Sequence, residues 1–232
     1  YFDSIKLNKL SLLNNYLNKP CLFEWIYLSR EESILYDVNV YEARIEMGKQ
    51  LANKIINEFG EDIKNISSII PIPDTSKPVA LSISNVLNIP YYEAITKNRY
   101  INRTFIMNTQ GKRQKNIKRK LNIIKHLVKN KDILIVDDSI VRGNTIKHII
   151  NLLKDNNVGK IYVVSCSPPI INRNIYGIDI PDKEDLLLYN KSIEDIEKEL
   201  SVKFIFQDLD DLKRSINILN PNLKEFEDSI FK

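Results

Sequence analysis

The sequence predicts an α/β protein: a doubly wound, mostly parallel sheet with helices on both faces and a long mobile loop over the site. Short apolar runs alternate with segments of helical period. The runs are continuously apolar rather than alternating, the mark of strands covered on both faces. One long basic stretch carries no sustained period, as functional loops in compact domains often do.

The first helix is predicted over 41–59, where Ala43, Met47, Leu51, Ile55 and Phe59 recur every four residues before Gly60. Residues 66–72 (ISSIIPI) read as a strand feeding the loop Pro73-Asp74-Thr75-Ser76. Residues 77–87 read as a helix with Pro78 in its first turn, where a missing N–H costs nothing. A strand is expected over 91–96, followed by the irregular stretch 98–116 and a short helix over 121–128. The apolar run 132–136 (DILIV) is a strand, 146–154 an amphipathic helix, and 160–165 (KIYVVS) a strand running into Pro168-Pro169. A strand over 203–207 and one or two helices close the chain.

With 232 residues, 43% hydrophobic and 28% charged, the chain can bury a core and is neither a disordered tail nor a disulfide-stapled peptide. Its cysteines, Cys21 and Cys166, cannot build a four-thiolate site and fit a reducing cytoplasm. No apolar run approaches the roughly 18 residues of a membrane helix, so no membrane partner is expected. The chain begins Tyr1-Phe2-Asp3, without Met or a signal pattern, and is expected to be a piece of a longer protein.

The net charge of +4 is uneven: residues 97–131 hold twelve Lys and Arg and no Asp or Glu, which leaves the remainder at −8. Such a stretch repels itself and gains order on meeting a nucleic acid, an anionic membrane or a small polyphosphate; a solvated basic loop is the plain alternative. Tyr100 and Phe105 are the only aromatics among 97–116, too few for a base-stacking platform, and no nucleic-acid partner is expected.

In an open parallel sheet the ligand crevice lies beyond the carboxyl ends of the strands, where Asp137 and Asp138 fall. Adjacent carboxylates after a buried strand are costly unless a cation or hydroxyl groups engage them. Two acids and a hydroxyl suit a hard ion such as Mg²⁺. Arg142-Gly143-Asn144-Thr145 then opens a helix, whose free N–H groups and dipole form a phosphate cradle that Gly143 lets an anion approach. A helix-capping role for Asp138 or Ser139 is the structural alternative. The phosphate loop of nucleotide hydrolases and the dinucleotide fingerprint are both absent. His126 and His148 read as structural, because no Ser or Cys nucleophile is placed to use them.

The run Val136-Asp137-Asp138-Ser139-Ile140-Val141-Arg142-Gly143-Asn144-Thr145 closely resembles the phosphoribosyl pyrophosphate (PRPP) signature of the type I phosphoribosyltransferases. Its form is similar to that of their glutamine-dependent amidotransferase branch, which makes phosphoribosylamine at the committed step of purine synthesis. Further matching elements are Cys21-Leu22-Phe23-Glu24, Val40-Tyr41-Glu42-Ala43-Arg44 with Met47-Gly48, Lys97-Asn98-Arg99-Tyr100 with Arg103-Thr104-Phe105-Ile106, and Arg119-Lys120-Leu121-Asn122. Pro71 to Thr75, Ser167-Pro168-Pro169-Ile170 and Tyr176-Gly177-Ile178-Asp179 complete the set. The resemblance is strong over 21–181 and weak over the tail.

Carried over by residue, it implies that Asp137 and Asp138 meet the ribose hydroxyls and Mg²⁺, with Thr75 a third metal-associated position. Ser139, Ile140, Val141, Arg142, Gly143, Asn144 and Thr145 would hold the 5′-phosphate. Asp74, Thr75 and Ser76, followed by Lys77 where the family more often has a small residue, would form the pyrophosphate loop. Lys97, Arg103 and Lys120 match the catalytic cations of a mobile loop that closes over PRPP. Ammonia would attack the anomeric carbon as pyrophosphate leaves, with no covalent enzyme intermediate.

The resemblance also sets the domain organisation: 1–20 lead in from an upstream glutaminase domain absent from this chain, 21–207 form the phosphoribosyltransferase domain, and 208–232 a C-terminal helical extension packed on it. Free ammonia, not glutamine, is the expected nitrogen source for this piece. Some members carry an iron–sulfur cluster; Cys21 matches one ligand position but Asn174 stands at another, so no cluster is expected. Purine nucleotides are expected as feedback inhibitors, and a homo-oligomer, dimer or tetramer, as the assembly. Two other readings stay open. A base-using phosphoribosyltransferase is disfavoured by Tyr41-Glu42-Ala43-Arg44 and Tyr176-Gly177-Ile178-Asp179. A PRPP-sensing regulator lacks a nucleic-acid-reading module.

Overall fold

The computed structural model describes residues 19–97, 121–174 and 182–232. The lead-in 1–18, the irregular stretch 98–116, Arg103, Lys120 and Tyr176-Gly177-Ile178-Asp179 lie outside the described residues.

A two-strand ribbon, β1 (Ile34–Leu35) and β2 (Val38–Asn39), leads into helix α1 (Val40–Phe59). Its turn is Tyr36-Asp37, both at positive φ, the twist a two-residue hairpin needs. Asn39 caps α1 by accepting the Glu42 N–H at 3.1 Å, and Gly60, at φ 50°, ends it as expected. Strand β3 (Ile66–Pro71), helix α2 (Lys77–Leu87) and strand β4 (Ile95–Lys97) follow. Beyond them come β5 (Leu121–Ile123), the single turn α3 (Lys125–Val128), β6 (Asp132–Asp137), α4 (Asn144–Lys154) and β7 (Ile161–Ser165). Helix α5 (Ile193–Leu200), β8 (Lys203–Phe206) and α6 (Leu209–Leu219) close the order.

Four of these strands form a parallel sheet in the order β3-β6-β7-β8. Alternate residues face opposite layers. Leu134, Val136, Tyr162, Val164 and Ile205 pack with α1, α2 and α6, whereas Ile133, Ile135, Val163, Phe204 and Phe206 pack with α4 and α5. Both faces are therefore covered, the reason the strands are apolar without alternation. Each fully buried Ile, Val or Leu contributes about 1.5–3 kcal/mol relative to an exposed one.

Helices α1 and α2 approach closely at Gly48, where an added Cβ would lie 2.5 Å from Ser82 Cβ and 2.7 Å from the Val79 carbonyl oxygen. The amino end and the tail share the same core: Trp25 meets Phe226 edge-on at 6.3 Å, and the Glu227 N–H donates to the Pro20 carbonyl at 3.0 Å. No helix among the described residues is long and apolar enough to cross a membrane.

Two expectations need correction. Residues 91–96 do not form a strand: only Tyr91 bridges to Ile69 along the edge of β3, and the strand proper is Ile95–Lys97. Residues 121–128 are not one helix, because Leu121–Ile123 pairs antiparallel with β4, and only Lys125–Val128 is helical. That pairing, Ile95 with Ile123 and Lys97 with Leu121, is non-local and overrides local helical propensity. The ribbon β1–β2 and helix α5, which opens with a Ser192–Asp195 capping box, were not foreseen.

Candidate active site

The parallel register brings three strand ends to one edge. The Ile72 N–H donates to the Val136 carbonyl at 2.8 Å, and the Cys166 and Ser167 N–H groups donate to the Asp137 and Asp138 carbonyls at 2.9 and 3.0 Å. These bonds fix the β6 end between the β3 loop and the Ser165–Ser167 segment. Asp137 is buried at the end of β6 and Asp138 is half-buried beside it. The Asp138 N–H donates to Asp137 Oδ1 at 3.1 Å, and Ser139 Oγ donates to Asp138 Oδ1 at 2.8 Å.

Burial raises the Asp137 pKa well above the carboxylate range, and the adjacent Asp138 charge raises it further. Burial likewise lifts Asp138 to about 6, against the Ser139 hydrogen bond and the Arg44 charge. Such a pair is poised to meet a cation or hydroxyl donors. Among the described residues no group of three or more His, Cys, Asp or Glu gathers. The donor set is two carboxylates and a hydroxyl, all hard oxygens, which fits Mg²⁺ completing its shell with water and ligand oxygens.

The next five residues form a turn held from both sides of the sheet. Ile140 is buried in the layer under α4 and α5, and Val141 packs against the opposite layer. Their side chains therefore anchor the loop in both layers. Arg142 is exposed, with Nε 3.7 Å from Asp185. Gly143, at φ 75°, is the left-handed residue that turns the chain into α4. The first bond inside the helix is Lys147 N–H to the Gly143 carbonyl. The N–H groups of Asn144, Thr145 and Ile146 precede it and form the positive end of the helix. Asn144 and Thr145 are exposed there.

Opposite lies the turn between β3 and α2, where the Pro73–Asp74 peptide is cis. Asp74 is exposed and Thr75 half-buried. Ser76 is fully buried and its hydroxyl donates to the Ile72 carbonyl at 2.7 Å, so its side chain closes the turn on itself. Lys97, on β4, reaches back to Asp74 at 2.7 Å. The structure thus brings together Asp74, Thr75, Ser76, Lys97 and the Asp137–Thr145 loop; Arg103 and Lys120 fall outside the described residues.

Arg44, in the matching run 40–44, has a role that the sequence does not reveal. It is 2% exposed, donates to the Trp25 and Ser29 carbonyls at 2.9 Å each, and its charge favours the ionised form of Asp138. Its signal in the sequence is a cation in phase with Gly48, Leu51 and Ile55 on the buried stripe of α1. Leu187, from the segment after 182, also went unforeseen; its N–H donates to the Val141 carbonyl at 2.8 Å. Cavities of about 380 and 540 Å³ lie along β8 and at the amino ends of the strands, away from this chemistry.

A parallel sheet covered on both faces, with an acid pair and a glycine-led helix start at its carboxyl edge, defines a doubly wound α/β domain. A family model described as "Phosphoribosyl transferase domain" matches residues 39–169, and the chain belongs to that family. It is 43% identical over 213 residues to the amidophosphoribosyltransferase of Haemophilus influenzae, covering 91% of this chain and 42% of that protein. It is 40% identical over 220 residues to the amidophosphoribosyltransferase of Saccharomyces cerevisiae, covering 94% and 42%. A solved glutamine PRPP amidotransferase from B. subtilis, complexed with ADP and GMP, superposes with a TM-score of 0.76 at 32% identity, over 94% of this chain and 45% of that one. The chain spans about two fifths of the length of these curated relatives.

Proposed function

We propose that this chain is the phosphoribosyltransferase half of an amidophosphoribosyltransferase, forming 5-phosphoribosylamine and pyrophosphate from PRPP and ammonia at the entry to purine synthesis. The observation that carries this reading is the loop Asp137 to Thr145, a buried and a half-buried acid running into a left-handed glycine at a helix start. The likeness to amidophosphoribosyltransferases over nine tenths of the chain supports the same reaction.

In this mechanism the carboxylates of Asp137 and Asp138 accept hydrogen bonds from the ribose hydroxyls. The backbone of 139–145, with the Thr145 hydroxyl, binds the 5′-phosphate at the positive end of α4. The sugar is thereby held at both ends, and orientation supplies much of the rate. The turn Asp74-Thr75-Ser76 receives the diphosphate. Lys97, Arg103 and Lys120 neutralise the charge that develops on it as the glycosidic bond breaks through an oxocarbenium-like transition state. Ammonia takes the anomeric carbon and loses a proton to solvent. Mg²⁺, when bound with PRPP on Asp137, Asp138 and the Thr75 position, supplies further charge neutralisation of the leaving group.

The ammonia comes from a glutaminase domain on the rest of the protein. Purine nucleotides act as inhibitors, in keeping with ADP and GMP bound to the B. subtilis protein. The assembly is a homo-oligomer in the cytoplasm. No iron–sulfur cluster is expected, and iron with labile sulfide in the purified protein would contradict this.

The test is pyrophosphate release from PRPP with Mg²⁺ and ammonium, beside purine bases and no acceptor. Release that depends on ammonium supports the proposal. Release with a base but not ammonium assigns a base-using transferase, and binding without turnover a PRPP sensor.

A further inference from the structure

Among the described residues, Lys77 and Lys97 at the carboxyl edge are both paired with carboxylates. Lys97 Nζ lies 2.7 Å from Asp74 Oδ2, and Lys77 Nζ lies 2.9 Å from Glu93 Oε2 and 4.0 Å from Asp74 Oδ1. Glu93 in turn accepts the Tyr91 hydroxyl at 3.3 Å, and this segment is tied to β3 through the Tyr92 N–H and the Ile69 carbonyl. Two lysines and two carboxylates thus form a nearly neutral chain across the turn that precedes α2. Lys77 stands in the first helical turn, where the helix dipole disfavours a cation, so its carboxylate partner holds it in place.

Asp74 and Lys97 are the more exposed of the two pairs. Their side chains are 65% and 45% exposed, so both remain open to an arriving anion. The pair bridges two segments separated by 23 positions and joined by no backbone hydrogen bond of the central sheet.

We propose that the Asp74 carboxylate is the resident counter-anion of Lys97, and that substrate binding exchanges it for a diphosphate oxygen at that ammonium. This rests on the phosphoribosyltransferase reading above. The backbone of the turn lines the diphosphate while the Asp74 side chain keeps Lys97 pointed across it. A diphosphate arriving at an edge that already carries Asp74, Asp137 and Asp138 meets repulsion unless Lys97 changes partner. The exchange is easy, because an exposed ion pair is weak and a charge-assisted bond to phosphate is stronger. Lys77, kept by Glu93, stays behind as a fixed cation at the helix start. Asp74 is in this sense a competitor of the diphosphate for Lys97, and it lowers affinity for that ligand.

The experiment is calorimetric titration of Mg-PRPP into the native chain, Asp74→Asn, Lys97→Ala and the double variant, at low and high salt. Asp74→Ala serves as a second neutral replacement, and thermal melts check that each variant is folded. Expected is about two- to fivefold tighter binding by Asp74→Asn at low salt, the size of one exposed pair. The gain should shrink at high salt and vanish in the Lys97→Ala background. Weaker binding by both Asp74 variants would make Asp74 a direct ligand and overturn the proposal. An equal gain with and without Lys97 would mean general repulsion only, and would also overturn it. A native chain that does not bind Mg-PRPP removes the underlying reading as well; normal native binding with unchanged Asp74 variants removes this proposal alone.

Discussion

Leu187 sits over Gly143: a Cβ built on the glycine would lie 2.6 Å from Leu187 Cδ1. The turn that opens α4 is therefore closed by a side chain from a segment more than forty residues later. Gly143 also has φ 75°, which an L side chain rarely adopts. Gly143→Ala is expected to cost about 1–3 kcal/mol in urea unfolding, from strain and overpacking together. Adding Leu187→Ala should relieve the steric part of the binding defect toward Mg-PRPP and leave the backbone part. Full recovery of binding would show that the left-handed conformation does not matter.

Neutralising Asp137 and Asp138 together should separate function from stability. Asp137→Asn with Asp138→Asn removes a buried like-charge pair, so the fold should melt no lower than the native chain. Binding of Mg-PRPP should be lost in calorimetry. Near-normal binding would sink the assignment of these acids.

The same pair sets a pH dependence. Burial lifts Asp138 to about 6 and Asp137 in the same direction. A carboxyl whose folded pKa exceeds its unfolded value holds its proton more tightly in the folded state. Its stabilisation is complete below the unfolded value of about 3.9 and is lost as pH rises through the folded value. Unfolding free energy from this site should thus fall from about pH 4 to above pH 6. Affinity for Mg-PRPP should rise over the same window, since binding uses the ionised pair. Denaturant melts and titrations at stepped pH check both slopes, and the stability slope should flatten in the double Asn variant.

Arg44 tests how the site is supported from beneath. Its guanidinium satisfies the Trp25 and Ser29 carbonyls, with Glu31 3.7 Å away. Arg44→Met should cost roughly 2–4 kcal/mol, because it strands these carbonyls without a donor. Arg44→Lys should recover little of it, since one ammonium cannot reproduce the planar fork. Thermal melts of the two variants decide the point; full rescue by Lys would reduce Arg44 to a point charge.

The sequence made some of this legible for identifiable reasons. Helix α2 runs Lys77–Leu87 as read, because Pro78 and the apolar period are local signals. Strand β6 and the loop after it were legible because an unbroken apolar run ending in two acids has few other uses. Leu121–Ile123 was misread, since three residues carry too little period to tell strand from helix until a partner is known. Ser76 lies in the expected ligand loop with its hydroxyl turned inward to the Ile72 carbonyl, an orientation no spacing argument could reveal.

The sequence by itself determined the α/β layering, the strands β3, β6, β7 and β8 with helices α1, α2 and α4, and the acid-to-glycine loop that ends β6. Strand period, helix period and capping are local properties, written in windows of a few residues. Tertiary structure decided which groups face one another: Lys97 with Asp74, Leu187 over Gly143, Arg44 beneath Trp25 and Ser29, Phe226 against Trp25. Those contacts join distant segments, and they form only when the register of the whole sheet brings the strand ends to a common edge. No local window contains that register, so no local reading supplies it.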